Sequence, residues 1–320
     1  MQFSIIIPVY NRPQEVSELL QSLKEQTYKR FEVLIVEDGS SDTCREICEQ
    51  MVDQLNISYF FIENVGQGFA RNFGIDQAKG DYFVFFDSDC IIPFNYLDLL
   101  SAAILERNLD AHGGPDAAET GFSDAQKAMD FAMTSFLTTG GIRGKLKDPS
   151  KFQARGFNMG FSKRVYQKIG GFVDPNQAED IEISIRIKKA GFKLELVREA
   201  FVYHKRKNTF WSFIRQGYSF GRNRVNVSRF HPEAIKPVHL LPLGFGMFLL
   251  SLPVVLLIDV RVFQLQLLLL GLWSLAILVS SGLKFKSPKT AVLSLIFSFG
   301  QLLAYGTGLA SELMRKWVRG

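Results

Sequence analysis

Asp87-Ser88-Asp89 directly follows the apolar run Tyr82-Phe83-Val84-Phe85-Phe86, so two carboxylates stand at the end of a segment that reads as a buried strand. Carboxylate oxygens are hard ligands. Mg²⁺ or Mn²⁺ is held by one or two of them while phosphate oxygens and water complete the shell, so the ligand to expect is a metal-bound diphosphate. A D-x-D triplet is common by chance, and its surroundings must carry the claim. A third acidic position, Glu179-Asp180, opens a segment bearing Ile181, Ile183, Ile185 and Ile187. Carboxylates there fit a helix cap, stabilised by the dipole and free N–H groups, and they equally fit a general base. Asn64-Val65-Gly66-Gln67-Gly68-Phe69-Ala70-Arg71-Asn72 reads as a glycine-containing loop entering a helix, with Arg71 placed to meet phosphate or base. No Gly-Lys-Ser/Thr follows it, which excludes a P-loop nucleotidase.

The elements that must position these groups alternate. Phe3–Val9, Phe31–Glu37, Ile57–Ile62 and Tyr82–Phe86 are short β-branched and aromatic runs separated by segments of helical spacing. Pro13 opens a helix with Val16, Leu19, Leu20 and Leu23 on one face, and Ser41-Asp42 is N-cap chemistry for a second helix carrying Cys44, Ile47, Cys48, Met51, Val52 and Leu55. Such alternation predicts βαβ units and a mostly parallel sheet, whose ligands bind beyond the carboxyl ends of the strands. Val9-Tyr10-Asn11, Glu37-Asp38-Gly39-Ser40-Ser41 and Asp87-Ser88-Asp89 all fall at such ends. Tyr10 can stack on a base, Asp38 or Glu37 can accept from base or ribose donors, and Gly39 permits a sharp turn; an ordinary turn fits the same residues.

Composition then divides the 320 residues. Residues 238–258, 262–283 and 290–311 contain no Asp, Glu, Lys or Arg and match the roughly 20 residues that span a bilayer core. Just before them, Arg198 to Lys236 holds nine basic residues against two acidic ones, interleaved with Phe210, Trp211, Phe213, Tyr218 and Phe220. Next to membrane spans this composition predicts an amphipathic segment on an anionic leaflet rather than a nucleic-acid surface. Met1-Gln2-Phe3 leads straight into a strand pattern without a basic n-region, so the N-terminal domain is expected to face the cytoplasm. Three spans then put Lys284, Lys286 and Lys289 inside, as the positive-inside rule wants, but leave Arg315, Lys316 and Arg319 outside, so either the last segment is re-entrant or lies in the interface, or the rule is violated here. The three cysteines, Cys44 and Cys48 one helical turn apart and Cys90 alone, make no disulfide framework.

Ser4-Ile5-Ile6-Ile7-Pro8-Val9-Tyr10-Asn11, Val36-Glu37-Asp38-Gly39-Ser40-Ser41-Asp42, Gly68-Phe69-Ala70-Arg71-Asn72, Asp87-Ser88-Asp89, Gly170-Gly171-Phe172 and Glu179-Asp180 together resemble glycosyltransferase family 2 over roughly residues 1 to 225. The resemblance implies an α/β GT-A fold, a Rossmann-like mostly parallel sheet flanked by helices. An interfacial helical segment and about three transmembrane helices follow from the composition. The expected division is 1–205 catalytic domain, 206–236 basic interfacial segment and 237–320 membrane helices. It further implies a nucleotide-diphosphate sugar donor, UDP-linked by family habit, a Mg²⁺ or Mn²⁺ cofactor, and inversion at the anomeric carbon. Pro8, Tyr10, Asn11, Glu37, Asp38, Gly68, Arg71, Asp87, Ser88 and Asn158 would then line the nucleotide sugar, and Asp87 and Asp89 would hold the metal. His204 either completes the metal shell or sits at the membrane surface. Asp180, beside Glu179, would take the acceptor proton. Family members usually carry Asp where Glu37 stands, which leaves open whether Glu37 or Asp38 meets the base.

A base is superfluous for a polyprenyl-phosphate acceptor, so Glu179-Asp180 favours a hydroxyl on a lipid-linked or cell-envelope glycan. Arg215-Gln216-Gly217-Tyr218 does not match the Gln-x-x-Arg-Trp element of processive synthases, which favours transfer of a single sugar. The competing reading outside catalysis is a membrane-anchored nucleotide-sugar-binding scaffold. Expected partners are the donor, the acceptor and membrane lipids, with no nucleic acid.

Overall fold

The computed structural model describes residues 1–117, 123–140, 152–174, 176–204 and 209–318. They form two compact units, Met1–Glu119 with Lys147–Lys205, and Thr120–Leu146 with Arg206–Gly320. In chain order the elements are β1 (Phe3–Val9), α1 (Pro13–Lys24), β2 (Phe31–Asp38), α2 (Arg45–Glu49), β3 (Ile57–Ile62), α3 (Gln67–Gln77) and β4 (Tyr82–Phe86). There follow β5 (Cys90–Ile91), α4 (Tyr96–Arg107), β6 (Ala111–Gly113) and β7 (Asp116–Ala117), then α5 (Asp124–Thr134) and α6 (Phe136–Thr139) of the second unit. The first unit resumes with β8 (Asn158–Ser162), α7 (Lys163–Ile169), α8 (Glu179–Lys189), β9 (Leu194–Leu196) and β10 (Val202–His204). The second ends with α9 (Phe210–Val227), α10 (Leu241–Ile258), α11 (Val260–Phe285) and α12 (Pro288–Val318).

The first unit is built on a seven-stranded sheet in the order β3-β2-β1-β4-β8-β6-β9. β3, β2, β1 and β4 run parallel, whereas β8 is antiparallel to both β4 and β6. β1, β2 and β4 are buried on both faces because helices cover both, as parallel strands require. α1 lays Val16, Leu19, Leu20 and Leu23 on one face, and this is the face its spacing predicts. On the other face Gly74 lets α3 approach Ile6, whose Cγ2 stands 2.5 Å from where a Cβ would lie. A small sheet, β5-β10-β7, sits beside the carboxyl end of β4.

One helix differs from its sequence pattern. α2 is a single short turn capped by Cys44, not by Ser41 or Asp42, and residues 50–54 continue only as turns. The reason lies in Glu37, whose carboxylate accepts from the Cys44 N–H at 2.9 Å and its thiol at 3.0 Å, so the start is fixed by the sheet. Cys48, Met51 and Leu55 are buried as expected, but Val52 is 55% exposed.

The second unit is helical. Residues 124–139 belong with it because Met129, Ala132 and Met133 of α5 pack with Phe213 of α9 and Phe297 of α12. Three helices, Pro237–Ile258, Val260–Phe285 and Pro288–Val318, are long and apolar enough to cross a membrane by length and composition. α9 does not stand apart as a surface segment: its Gly217 and Gly221 lie on α12 against Ala304 and the Tyr305 carbonyl.

Candidate functional site at the carboxyl ends of the strands

The loops after β1, β2 and β4 gather at one rim of the sheet, joined there by the starts of α3 and α8. Asn11 adopts a left-handed backbone, φ 53°, and its Oδ1 accepts from the Ser41 and Asp42 N–H groups at 2.8 and 3.0 Å. Its own N–H donates to Ser40 Oγ at 2.8 Å, so the first two loops are sewn together. Tyr10, next to it, is 53% exposed and free to stack.

Glu37 and Asp38 point to opposite faces, as successive strand residues must. Glu37 is fully buried, and its oxygens accept from Ser40, Cys44 and Tyr59. Asp38 faces the start of α3, where its two oxygens accept from the N–H groups of Val65 and Gly66 at 2.7 and 3.0 Å. Gly39 (φ 74°) packs against Asn64, which leaves no room for a side chain.

Arg71 is the hub. Its guanidinium is wholly buried, donates 2.8 Å bonds to Glu179 Oε1 and to Asp87 Oδ1, and lies 5.5 Å from the Phe172 ring centre. Burial alone would depress its pKa, but the charges of Asp87 and Glu179 outweigh that and the net direction is upward. The guanidinium is a fixed cation. Its Nε has no hydrogen-bond partner. Gln67 Nε2 donates to the same Glu179 oxygen at 2.6 Å. Across the rim, Arg12 Nη1 donates to Asp89 Oδ2 at 2.7 Å.

Glu179 and Asp180 begin α8 after Ala178, itself left-handed at φ 61°. Glu179 is buried, and burial followed by the Asp180 charge pushes its pKa up to about 7 despite Arg71. Asp180 is partly exposed. Its Oδ1 accepts from the Ile181 N–H at 2.7 Å and its Oδ2 from the Gly156 N–H at 3.2 Å, so it is aimed but not neutralised by a cation at hydrogen-bond distance. A carboxyl whose folded pKa is raised adds stability that is complete below its ordinary value near 4.3 and is lost as pH rises through about 7. The melting temperature should therefore fall between pH 5 and 8. Glu179→Gln should flatten that slope, since its side-chain oxygen still accepts from Arg71 and Gln67; an unchanged slope in that variant would assign the dependence to another group.

The other predicted residues fall at varied depth. Pro8 lies within β1 and Gly68 inside the first turn of α3. Ser88 is buried between the two aspartates. Asn158 is fully buried behind the rim, accepting from Tyr96 OH at 2.6 Å and donating to the Ala200 carbonyl at 2.9 Å. The same Tyr96 hydroxyl meets His112, which burial holds neutral with its pKa lowered to about 3. His204 pairs with Cys90 through the backbone, one residue beyond Asp89; its side chain lies outside the described residues. Two site residues carried no sequence motif, Arg12 and Gln67. Each stands beside a motif residue, and that adjacency was the available signal.

A divalent cation fits this rim as an open site. Among the described residues no three His, Cys, Asp or Glu side chains converge on a metal position. Mg²⁺ and Mn²⁺ commonly take one or two carboxylates with substrate phosphate and water, and Asp87 and Asp89 offer those. Among the described residues the rim sets Asp87, Asp89, Glu179 and Asp180 against Arg12 and Arg71, an acidic excess that a cation would balance.

A mostly parallel sheet, a D-x-D loop at its carboxyl rim and a helix opening on paired acids define the GT-A class of sugar-nucleotide folds. Residues 4–170, just over half of the sequence, match the family model for Glycosyl transferase family 2, and the chain belongs to that family. Glycosyltransferase AglE of Haloferax volcanii is 27% identical over 231 residues, covering 70% of this chain and 73% of AglE. Glycosyltransferase GlyA of Streptococcus pneumoniae is 37% identical over 110 residues, 34% of this chain and 16% of GlyA. Poly(ribitol-phosphate) beta-N-acetylglucosaminyltransferase TarS of Staphylococcus aureus is 37% identical over 114 residues, 34% of this chain and 20% of TarS. The chain thus matches only a minor part of several of these relatives. Among solved structures, the mannosyltransferase PcManGT of Pyrobaculum calidifontis, determined with GDP-Man and Mn²⁺, is similar in fold with a TM-score of 0.69 at 18% identity, covering 98% of this chain and 88% of that one.

Proposed function

We propose that the chain is an inverting, metal-dependent hexosyltransferase that moves one sugar from a nucleoside diphosphate, preferably UDP, to a hydroxyl of a lipid-linked or cell-envelope glycan. It would work at the cytoplasmic face of a membrane. The observation that carries this reading is the convergence of Asp87, Arg71, Glu179 and Asp180 at one rim of the sheet. The fold likeness to a protein solved with GDP-Man and Mn²⁺, and the sequence likeness to a beta-N-acetylglucosaminyltransferase, support a nucleotide-sugar donor and a divalent ion.

Tyr10 and Asp38 are assigned to the nucleoside, with Glu37 as the brace that holds their loop. A divalent ion held by Asp87 and Asp89 would neutralise the charge that gathers on the departing diphosphate. Arg71, held by Glu179, keeps a positive charge beside that position. As the acceptor oxygen attacks the anomeric carbon in line, its proton passes to the Asp180 carboxylate, and the pair from the broken C–O bond stays on the diphosphate oxygen. Among the described residues Asp87, Asp89 and Glu179 each pair with an arginine and Asp180 does not, as a proton acceptor requires.

Treating membranes that contain the protein with EDTA should lower sugar transfer from labelled nucleotide sugars to extractable lipid or glycan by at least ~10²-fold, and added Mn²⁺ or Mg²⁺ should restore it. Full transfer without metal would sink the metal assignment. Donor binding without any transfer across a panel of acceptors would favour the scaffold reading.

A further inference from the structure

Two of the three apolar helices project from the second unit, and the third is clad along its length by charged helices. Gly300 of α12 meets Phe210 and Ile214 of α9, Gly308 abuts the Tyr218 carbonyl, and Glu312 pairs with Arg222 and Arg229 at 2.9 Å each. Contacts advance together along both chains, so α9 runs parallel to α12 from its start to its end. At the other end of α12, Thr290 and Lys289 bond Asp124 of α5 at 2.7 and 3.2 Å. If α12 crossed a bilayer, α9 would lie beside it at the same depth and carry Arg215, Arg222 and Arg224 into the hydrocarbon, where such charges are strongly disfavoured.

α10 and α11 are different. Their apolar windows are 0% and 6% buried, against 44% for α12. α12 touches them along the half of their hairpin nearest its base, through Pro242 against Gly306, Phe245 and Trp273 against Phe299, and Ser281 against Ser294. Beyond that base Leu250, Leu257 and Ile258 on α10 and Leu265, Leu268 and Leu272 on α11 are exposed. The candidate span Pro237–Ile258, α10 with the turn before it, has 22 residues and α11 has 26, which matches or exceeds the roughly 17–25 residues that span a bilayer core. The tip carries Asp259, which caps α11, and Arg261. A polar tip on an apolar hairpin belongs at the far headgroups.

We infer that α10 and α11 cross the bilayer as a helical hairpin, while α12, clad by α5 and α9, stays on the side from which the hairpin enters. Lys284, Lys286, Lys289, Arg315 and Lys316 then share one side, and Arg261 at the hairpin tip lies opposite. This removes the violation of the positive-inside rule that three crossings create. The occupant of the exposed hairpin surface is lipid acyl chain.

The inference rests on the membrane association in the proposed function and not on its chemistry. It is tested with Arg261→Cys, Lys286→Cys and Lys316→Cys in the full chain, each probed with a membrane-impermeant maleimide in sealed and then permeabilised membranes. The native cysteines are all buried, and the parent chain measures their background. Expected is labelling of the Cys at 261 from one side only and of those at 286 and 316 from the other; Val318→Cys repeats the last point where Lys316→Cys fails to accumulate. Labelling of 316 from the side of 261 would overturn the inference, as would labelling of all three from one side, the result for a hairpin seated on a second copy or re-entrant in the bilayer. Because the pattern is relative, an inverted orientation would count against cytoplasmic catalysis and leave the hairpin standing.

Discussion

Asp180→Asn should lower sugar transfer by ~10²-fold or more while donor binding stays near that of the parent chain. The amide removes the proton acceptor and little else. One oxygen remains to accept from the Ile181 N–H, which also meets the Ala178 carbonyl, so the first turn of α8 is kept and only the 3.2 Å bond from the Gly156 N–H is lost. Arg71, Asp87 and Glu179 keep their mutual bonds, so the diphosphate side of the rim is untouched. Transfer rates measured beside donor titration separate chemistry from binding. Unchanged turnover would remove Asp180 as the base and revive the polyprenyl-phosphate reading, in which the acceptor arrives already ionised.

Arg71→Met should have the largest effect on the folded state, roughly 3–5 kcal/mol of stability, because one partner of a buried charged network is deleted and the others remain. Glu179 would keep only Gln67 as a side-chain donor, and Asp87 would lose its bond from the guanidinium. Methionine fills the space beside Phe172 without supplying charge, so the loss reports electrostatics rather than a cavity. Arg71→Lys should recover only part, since an ammonium cannot reach in two fixed directions as a guanidinium does. Thermal unfolding of the detergent-solubilised chain is the check, with donor binding as the second readout. A melting temperature within a degree of the parent would show that the pair contributes nothing net, and the hub role would fail with it.

The first unit was largely legible in advance because its signals are local. Four strands were readable from runs of five to seven residues, and they occur as Phe3–Val9, Phe31–Asp38, Ile57–Ile62 and Tyr82–Phe86, the second one residue longer than its run. The Pro13 helix start and the Glu179 helix start were equally local. The second helix was overread, since the spacing of Cys44 to Leu55 continues while the regular helix ends at Glu49 and gives way to turns. That outcome was set by Glu37, a residue of another element.

The site was legible as a set of positions and not as a set of partners. Arg12 reaches Asp89 across 77 residues, and Arg71 reaches Glu179 across 108. Glu179 and Asp180 look alike as a pair, but neighbours on a helix point about 100° apart. One is therefore turned into the buried network and the other toward the rim.

By itself the sequence determined four strands of the large sheet, the starts of α1 and α8, the carboxylates beside them and the presence of three apolar helices, because side-chain periodicity and composition are properties of short stretches. Tertiary structure alone decided which carboxylate each arginine holds, which of Glu179 and Asp180 turns into the buried network, and which apolar helix is wrapped by charged neighbours. Those outcomes depend on surfaces brought together from distant parts of the chain, and hydropathy counts what a helix is made of, not what lies against it.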